Sequence, residues 1–230
     1  MWLQEGIRHV SFDLWLTLIR SNPAFKPLRD ELFAQCFGIR QPAAAVTAAF
    51  RHFDLLFNQI NERAGGNVSY TEMLYVILDH LGVPLAEVPL DAMEGYYRQM
   101  EQLFYEHHPS LIDPGTIAVL ERLRAAGCTI NILSNTGFIQ GNTLRPVLAI
   151  LGIADYFSFQ LYSDEMGHSK PSQKVFEQVF DEAQKLGSLT KEEILHVGDN
   201  RVADLNGARQ FGFRAALLEE GRTLQHLFLN

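Results

Sequence analysis

The chain has 230 residues, of which 47% are hydrophobic, and it carries a formal charge of −8. That length accommodates one substantial core, or a core with a smaller insert, and the composition is that of an ordinary soluble globular protein. An acidic chain with no basic run does not suit nucleic acid or an anionic membrane surface, so an anionic substrate must be drawn in by a local site.

In chain order, "HVSFDLWLTLI" (residues 9–19) reads as a buried strand that delivers Asp13 near its tip. No convincing strand follows until about residue 109. The interval reads as four helices: "PLRDELFAQCFG", "AAAVTAAFRHFDLLFNQINE", "SYTEMLYVILDHLG" and "DAMEGYYRQMEQLFYEHH". The third opens with Ser69 and Glu72 at capping-box spacing. "RAGGNVS" and "GVPLAEVPL" are turn-rich connectors between them. The aromatics of this stretch (Phe50, Phe53, Phe57, Tyr96, Tyr97) recur at helical spacing and read as packing residues.

From Asp113 onward short apolar runs alternate with helical patterns. "PGTIAVLERLRAAG" is a helix with Gly127 as its left-handed stop. Strand "CTINILS", helix "TLRPVLAILG" with Pro146 in its first turn, and strand "YFSFQLYS" follow. Next come the amphipathic helix "PSQKVFEQVFDEAQKLG", strand "EILHVG", helix "RVADLNGARQFG" and strand "FRAALL". Strands alternating with helices imply an α/β fold: a Rossmann-like, doubly wound parallel sheet. The expected division is a core of residues 1–19 and 109–230 with a helical cap of residues 20–108.

In open parallel sheets ligands bind beyond the carboxyl ends of the strands, so the polar residues closing each strand are the candidates. They are Asp13 with Thr17, then Ser134 with Asn135, then Asp199 with Asp204, and Lys170 ahead of a helix that accepts Pro171 near its start. Each has a structural reading as well. Asp199 would serve as a helix N-cap, Ser134 and Asn135 as turn formers, Lys170 as a surface charge and Asp204 as part of an exposed helix face. His196 reads as a satisfied core histidine and His168 as an incidental exposed one.

Taken together, the order and spacing resemble the haloacid dehalogenase-like hydrolase superfamily along nearly the whole chain. That family's first motif, Asp-x-Asp-x-Thr, aligns with Asp13, Trp15 and Thr17. Its second ends a strand in Ser or Thr, here Ser134. Its third is a lysine ahead of a helix, here Lys170 in "SKPS". Its fourth is Gly-Asp and a further Asp, here Gly198, Asp199 and Asp204. The resemblance implies a cap inserted after the first motif and a Mg²⁺ ion held by Asp13, Asp199 and the backbone carbonyl of Trp15. It implies Asp13 as nucleophile, with Ser134, Asn135 and Thr17 toward the substrate. Lys170 would stabilise charge and Asp204 support from behind.

Trp15 departs from the motif. By the same resemblance the second carboxylate protonates the leaving group, and an indole has no such proton to give. Leu16 also replaces the usual glycine. Three readings follow: a phosphatase for small phosphorylated metabolites with good leaving groups, a dehalogenase, or a binder of a phosphorylated ligand. The superfamily's 2-haloacid dehalogenases carry an aromatic at position 15 and an Asn after the Ser, as Asn135 stands here. They work without metal, however, and place a Tyr where this chain has Phe176. Asp199 favours the metal-dependent phosphatase. The N-terminus lacks a signal-peptide pattern, no apolar stretch reaches membrane-span length, and Cys36 and Cys128 read as reduced thiols, so a cytoplasmic location is expected.

Overall fold

A computed structural model describes residues 6–89 and 91–229. Five strands form one parallel sheet: β1 (His9–Phe12), β4 (Thr129–Ser134), β5 (Phe159–Tyr162), β6 (Ile194–Gly198) and β7 (Arg214–Leu217). Their order is β5-β4-β1-β6-β7, with β1 at the centre. Phe12 pairs with Ile132 on one side and Val197 on the other. All four residues of β1 and all five of β6 are buried, as a sheet covered on both faces requires.

Alternation along the strands sends side chains to opposite faces. Ile130 and Ile132 of β4, with Val10 and Phe12, join a cluster formed with α5 (Thr116–Ala125), α6 (Gly141–Ile150) and α10 (Leu224–Phe228). Leu133 and Ile194 face the other way, against Val175, Phe176 and Val179 of α8 (Gln173–Leu186) and Ala208 of α9 (Gly207–Phe211). Each fully buried Phe or Leu of this kind contributes roughly 1.5–3 kcal/mol. The sheet is therefore wrapped on both faces, and the chain departs from β1 in both directions, which opens a crevice at its carboxyl end.

Four further helices lie between the first and second strands of this sheet: α1 (Phe25–Cys36), α2 (Ala43–Ala64), α3 (Tyr70–His80) and α4 (Ala92–Glu106). α1 packs on both α2 and α4, and α2 on α3. The capping box at Ser69 is present, with both reciprocal hydrogen bonds.

Several elements differ from the sequence reading. β1 ends at Phe12, because beyond Asp13 the chain turns: Leu18 and Ile19 both donate to the carbonyl of Leu14. A two-residue antiparallel ribbon, β2 (Ile19–Arg20) with β3 (Ser110–Leu111), ties together the ends of the helical stretch. It is too short to show periodicity. Pro146 lies well inside α6, since that helix starts at Gly141 and not just before the proline. The segment after β6 begins as a π-helical turn, Arg201–Asn206, with the N–H of Leu205 reaching the carbonyl of Asn200 at 3.2 Å. Among the described residues no helix is long and apolar enough to cross a membrane.

Candidate active site

The carboxyl ends of β1, β4 and β6 bring the proposed residues to one place. Lys170 is 2% exposed, and a lone ammonium so deeply buried would be costly. Its Nζ donates to Asp13 Oδ1 at 2.6 Å, to Asp204 Oδ1 at 2.7 Å and to the Leu133 carbonyl at 2.9 Å, which uses all three of its protons. Burial opposes its charge, but the two carboxylates outweigh burial and push its pKa up to about 12. The surface-charge reading of Lys170 therefore fails. Its own backbone is clamped by Asn135, whose Oδ1 accepts from the Lys170 N–H (2.8 Å) and whose Nδ2 donates to its carbonyl (3.0 Å).

Asp13 also accepts from Thr17 Oγ1 at 3.2 Å. Burial raises the Asp13 carboxyl above the usual carboxylate range against the pull of Lys170, and Asp204 and Asp199 add to the rise. Asp204 goes the other way. Burial opposes its ionisation too, yet Lys170 and a hydrogen bond from His196 hold it well below the ordinary value. Because a carboxylate only accepts, His196 Nε2 carries the proton toward Asp204 Oδ1 (3.0 Å), and its Nδ1 accepts from Ser11 Oγ (3.0 Å). His196 is satisfied, as the sequence suggested, and it also orients an active-site acid. Gly198 allows this approach: a Cβ there would lie 2.2 Å from Asp204 Cγ.

Asp199 is not the N-cap. That role falls to Asn200, whose Oδ1 accepts from the N–H groups of Val202 (2.8 Å) and Ala203 (3.0 Å). Asp199 is left half-buried on the cavity wall, near enough to feel the charge of Lys170 but in no salt bridge among the described residues. Burial and the neighbouring Asp204 raise its pKa. Asp13, Asp199 and Asp204 each offer a carboxylate oxygen, and these lie within 4.8 Å of one another. Three carboxylates facing one ammonium leave negative charge uncompensated, and an all-oxygen donor set of that kind fits a hard divalent ion such as Mg²⁺.

These groups floor a cavity of about 530 Å³. Trp15 and Leu16 line it beside Asp13, and the Trp15 ring lies 6.4 Å from that of Phe104 in α4. Leu16 holds φ +60°, the left-handed conformation a glycine would adopt freely, at a cost of roughly 1–2 kcal/mol. The loop thus turns as a glycine would turn it. Ser134 and Thr17 are fully buried, and neither lines the cavity; the Ser134 hydroxyl donates to the Asn135 carbonyl at 3.3 Å. Phe176, fully buried, packs edge-on against His196 at 5.5 Å between ring centroids. His168 is half-buried rather than exposed, its Nδ1 3.2 Å from the Gly65 carbonyl at the end of α2.

The opposite wall comes from the helical stretch, which sequence reasoning treated as packing. α1 supplies Phe25, Lys26 and Arg29, and α2 supplies Asp54, Leu55, Asn58, Gln59 and Glu62. Glu62 Oε1 accepts from Asn200 Nδ2 at 2.7 Å, a direct tie between this wall and the β6 loop. A polar stripe at positions 54, 58 and 62 was the available signal, but the same spacing describes any solvated helix face.

The model of the haloacid dehalogenase-like hydrolase family matches residues 7–212, and the chain belongs to that family. It is a hydrolase by that membership. Among related sequences, a (S)-2-haloacid dehalogenase of a Pseudomonas species is 31% identical over 95% of this chain and 86% of its own length. A phosphoglycolate phosphatase of Salmonella typhi is 28% identical over 90% and 79%. Among solved structures, the magnesium-bound HAD-hydrolase YfnB from Bacillus subtilis superposes with a TM-score of 0.71 at 20% identity, covering 96% of both chains. A 2-haloacid dehalogenase from Pseudomonas syringae gives 0.62 at 24% identity, over 92% and 86%. These structural likenesses establish the fold, and the relatives divide between phosphatases and dehalogenases.

Proposed function

We propose that the chain is a Mg²⁺-dependent phosphatase acting on a small phosphorylated metabolite through an aspartyl-phosphate on Asp13. In this reading residues 1–19 and 109–230 form the core and residues 20–108 the cap, and the protein works in the cytoplasm. One observation carries it: oxygens of three carboxylates converge within 4.8 Å beside a single lysine, which forms salt bridges with Asp13 and Asp204 and not with Asp199. A dehalogenase working without metal has no use for that excess charge.

Asp13, Asp199 and the backbone carbonyl of Trp15 would hold the ion. When bound, Mg²⁺ would offset the charge of the phosphoryl oxygens that otherwise repels a carboxylate nucleophile. Lys170, bonded to Asp13 Oδ1, keeps that side chain fixed and faces its oxygen toward the reacting group. An Asp13 oxygen forms a bond to phosphorus while the bond to the leaving oxygen breaks, and the leaving group departs with the electron pair. Water then attacks phosphorus, freeing Asp13 and inorganic phosphate. With Trp15 in place of an acid, the leaving group departs unprotonated, so acyl and aryl phosphates are the favoured substrates. Asn135 lines the cavity and would meet the phosphoryl group through its backbone, while Ser134, closed off from the cavity, would hold that turn by its hydroxyl; Thr17 would position Asp13, and Asp204 support Lys170.

A second reading has its own observation. Trp15 is an aromatic wall beside the nucleophile, Asn135 clamps the lysine, and halide displacement needs no proton. Comparing acetyl phosphate, p-nitrophenyl phosphate and 2-chloropropionate with and without Mg²⁺, with Asp13→Asn as control, separates the two. Phosphate release that needs both Mg²⁺ and Asp13 is expected. Metal-independent chloride release would move the protein to the dehalogenases. No turnover, with tight binding of a phosphorylated compound, would make it a binding protein.

A further inference from the structure

We infer that Arg29 reads the organic part of the substrate, holding a second oxyanion there while the reacting group sits against Asp13. The identity of the reacting group rests on the phosphatase reading; the role of Arg29 rests on its own surroundings. Arg29 is 7% exposed and lines the cavity. It follows Phe25 by one turn on the same face of α1, and Phe25 packs on Phe104 (5.0 Å), which meets Trp15. Its Cζ lies 4.0 Å from the centroid of Phe50 in α2 and 5.3 Å from that of Phe138, just beyond Asn135 in the core. The guanidinium is thus held between the two walls by aromatic faces that cannot accept a conventional hydrogen bond.

Its electrostatic partner lies to one side. Asp30 Oδ1 accepts from Nε (2.9 Å) and from Nη2 (2.6 Å), and Thr47 donates to Asp30 Oδ2 (2.8 Å). Asp30 does not line the cavity. Of the five N–H groups of a guanidinium, two are spent on this pair, and Nη1 makes no hydrogen bond among the described residues. A planar cation with unspent donors at a cavity wall is matched by a carboxylate or a phosphate. The substrate class is therefore a phosphate ester or acyl phosphate with an oxyanion on its far side, joined by a flat or apolar portion lying along Phe25, Phe104 and Trp15.

The test is calorimetric titration of the full chain with Mg²⁺, using benzylphosphonate, 4-carboxybenzylphosphonate and 1,4-xylylenediphosphonate, none of which can be hydrolysed. The added oxyanion is expected to tighten binding about tenfold or more. The larger gain of the two identifies carboxylate or phosphate. In Arg29→Lys the gain should fall below about threefold. Arg29→Met combined with Asp30→Asn, which leaves no unpaired charge, should behave alike, with thermal melting confirming that both variants fold. An equal gain in wild type and variants, or no gain in wild type, overturns the inference. Hydrolysis of phenyl phosphate is followed in parallel. An Arg29-dependent gain without turnover would retain Arg29 and discard the phosphatase, whereas failure to bind any phosphonate would discard both.

Discussion

The carboxyl ends of the strands and the helical wall across the cavity both carry buried ion pairs, but they hold them differently. On the sheet side Lys170 reaches from outside the strands to bind Asp13 and Asp204 together, two residues 191 positions apart in a chain of 230. Every proton of its ammonium is used. On the helical side Arg29 pairs with its own neighbour, Asp30, and keeps donors in reserve. The first arrangement fixes a nucleophile by long-range contacts. The second is local, and it leaves guanidinium donors free to meet whatever the cavity admits.

Breaking the long-range pair should have the largest effect. Lys170→Met leaves Asp13 and Asp204 facing each other without a cation, and removal of one member of a buried pair costs about 3–5 kcal/mol. Urea unfolding should show that loss together with loss of turnover, while Arg29→Lys, which keeps its charge, should cost much less. Equal losses would mean the two pairs are energetically alike.

The sheet side also carries its own acid sensitivity, at the other end of β1. Burial lowers the His9 pKa to about 4, against the hydrogen bond with Asn131 that raises it. The unfolded chain takes up this proton near 6.5, well before the folded one does, so stability is lost as pH falls from about 6.5 toward 4. At 1.36 kcal/mol per unit, unfolding at pH 4.5 should cost about 2–3 kcal/mol less than at pH 7 from this group. His9→Gln should remove that part of the slope. An unchanged slope would show that His9 is not its source.

Trp15→Asp is a sharper probe of the wall between the two regions. Restoring a positioned acid–base should raise hydrolysis of alkyl phosphates, whose leaving groups need a proton, by about 10²-fold, and should also speed acetyl phosphate turnover by hastening the attack of water. No gain for either class would make the strained Leu16 turn, not the missing acid, the limiting feature.

The contrast between the walls also explains what could be read in advance. Asp13, Lys170 and Asp199 stand at strand ends or just before a helix; Lys170 and Asp199 each have an ordinary structural use taken alone, and it was the order of the whole set along the chain that marked them. The alternation of strands and helices fixed the sheet beyond them. Arg29 and Glu62 were not legible, because a charged residue on an amphipathic helix looks the same whether it faces solvent or a cavity. Only packing of that helix over the strand ends distinguishes the two. Asn200 was hidden differently: the capping role weighed as the alternative for Asp199 belongs to it, and that shift by one residue is what leaves Asp199 available to a cation. The β2–β3 ribbon and the π-helical turn escaped because neither is long enough to leave a period.

The central proposal is that Asp13 takes up a phosphoryl group in a site where Trp15 replaces the acid–base carboxylate, so water attacks the aspartyl-phosphate unaided and the second step is slow. Acid quenching of the protein after mixing with ³²P-labelled acetyl phosphate and Mg²⁺ tests it directly. Near-stoichiometric label that maps to Asp13 and vanishes in Asp13→Asn is the expected result. Label that persists in Asp13→Asn, or phosphate released with no labelled protein at any time, would contradict it.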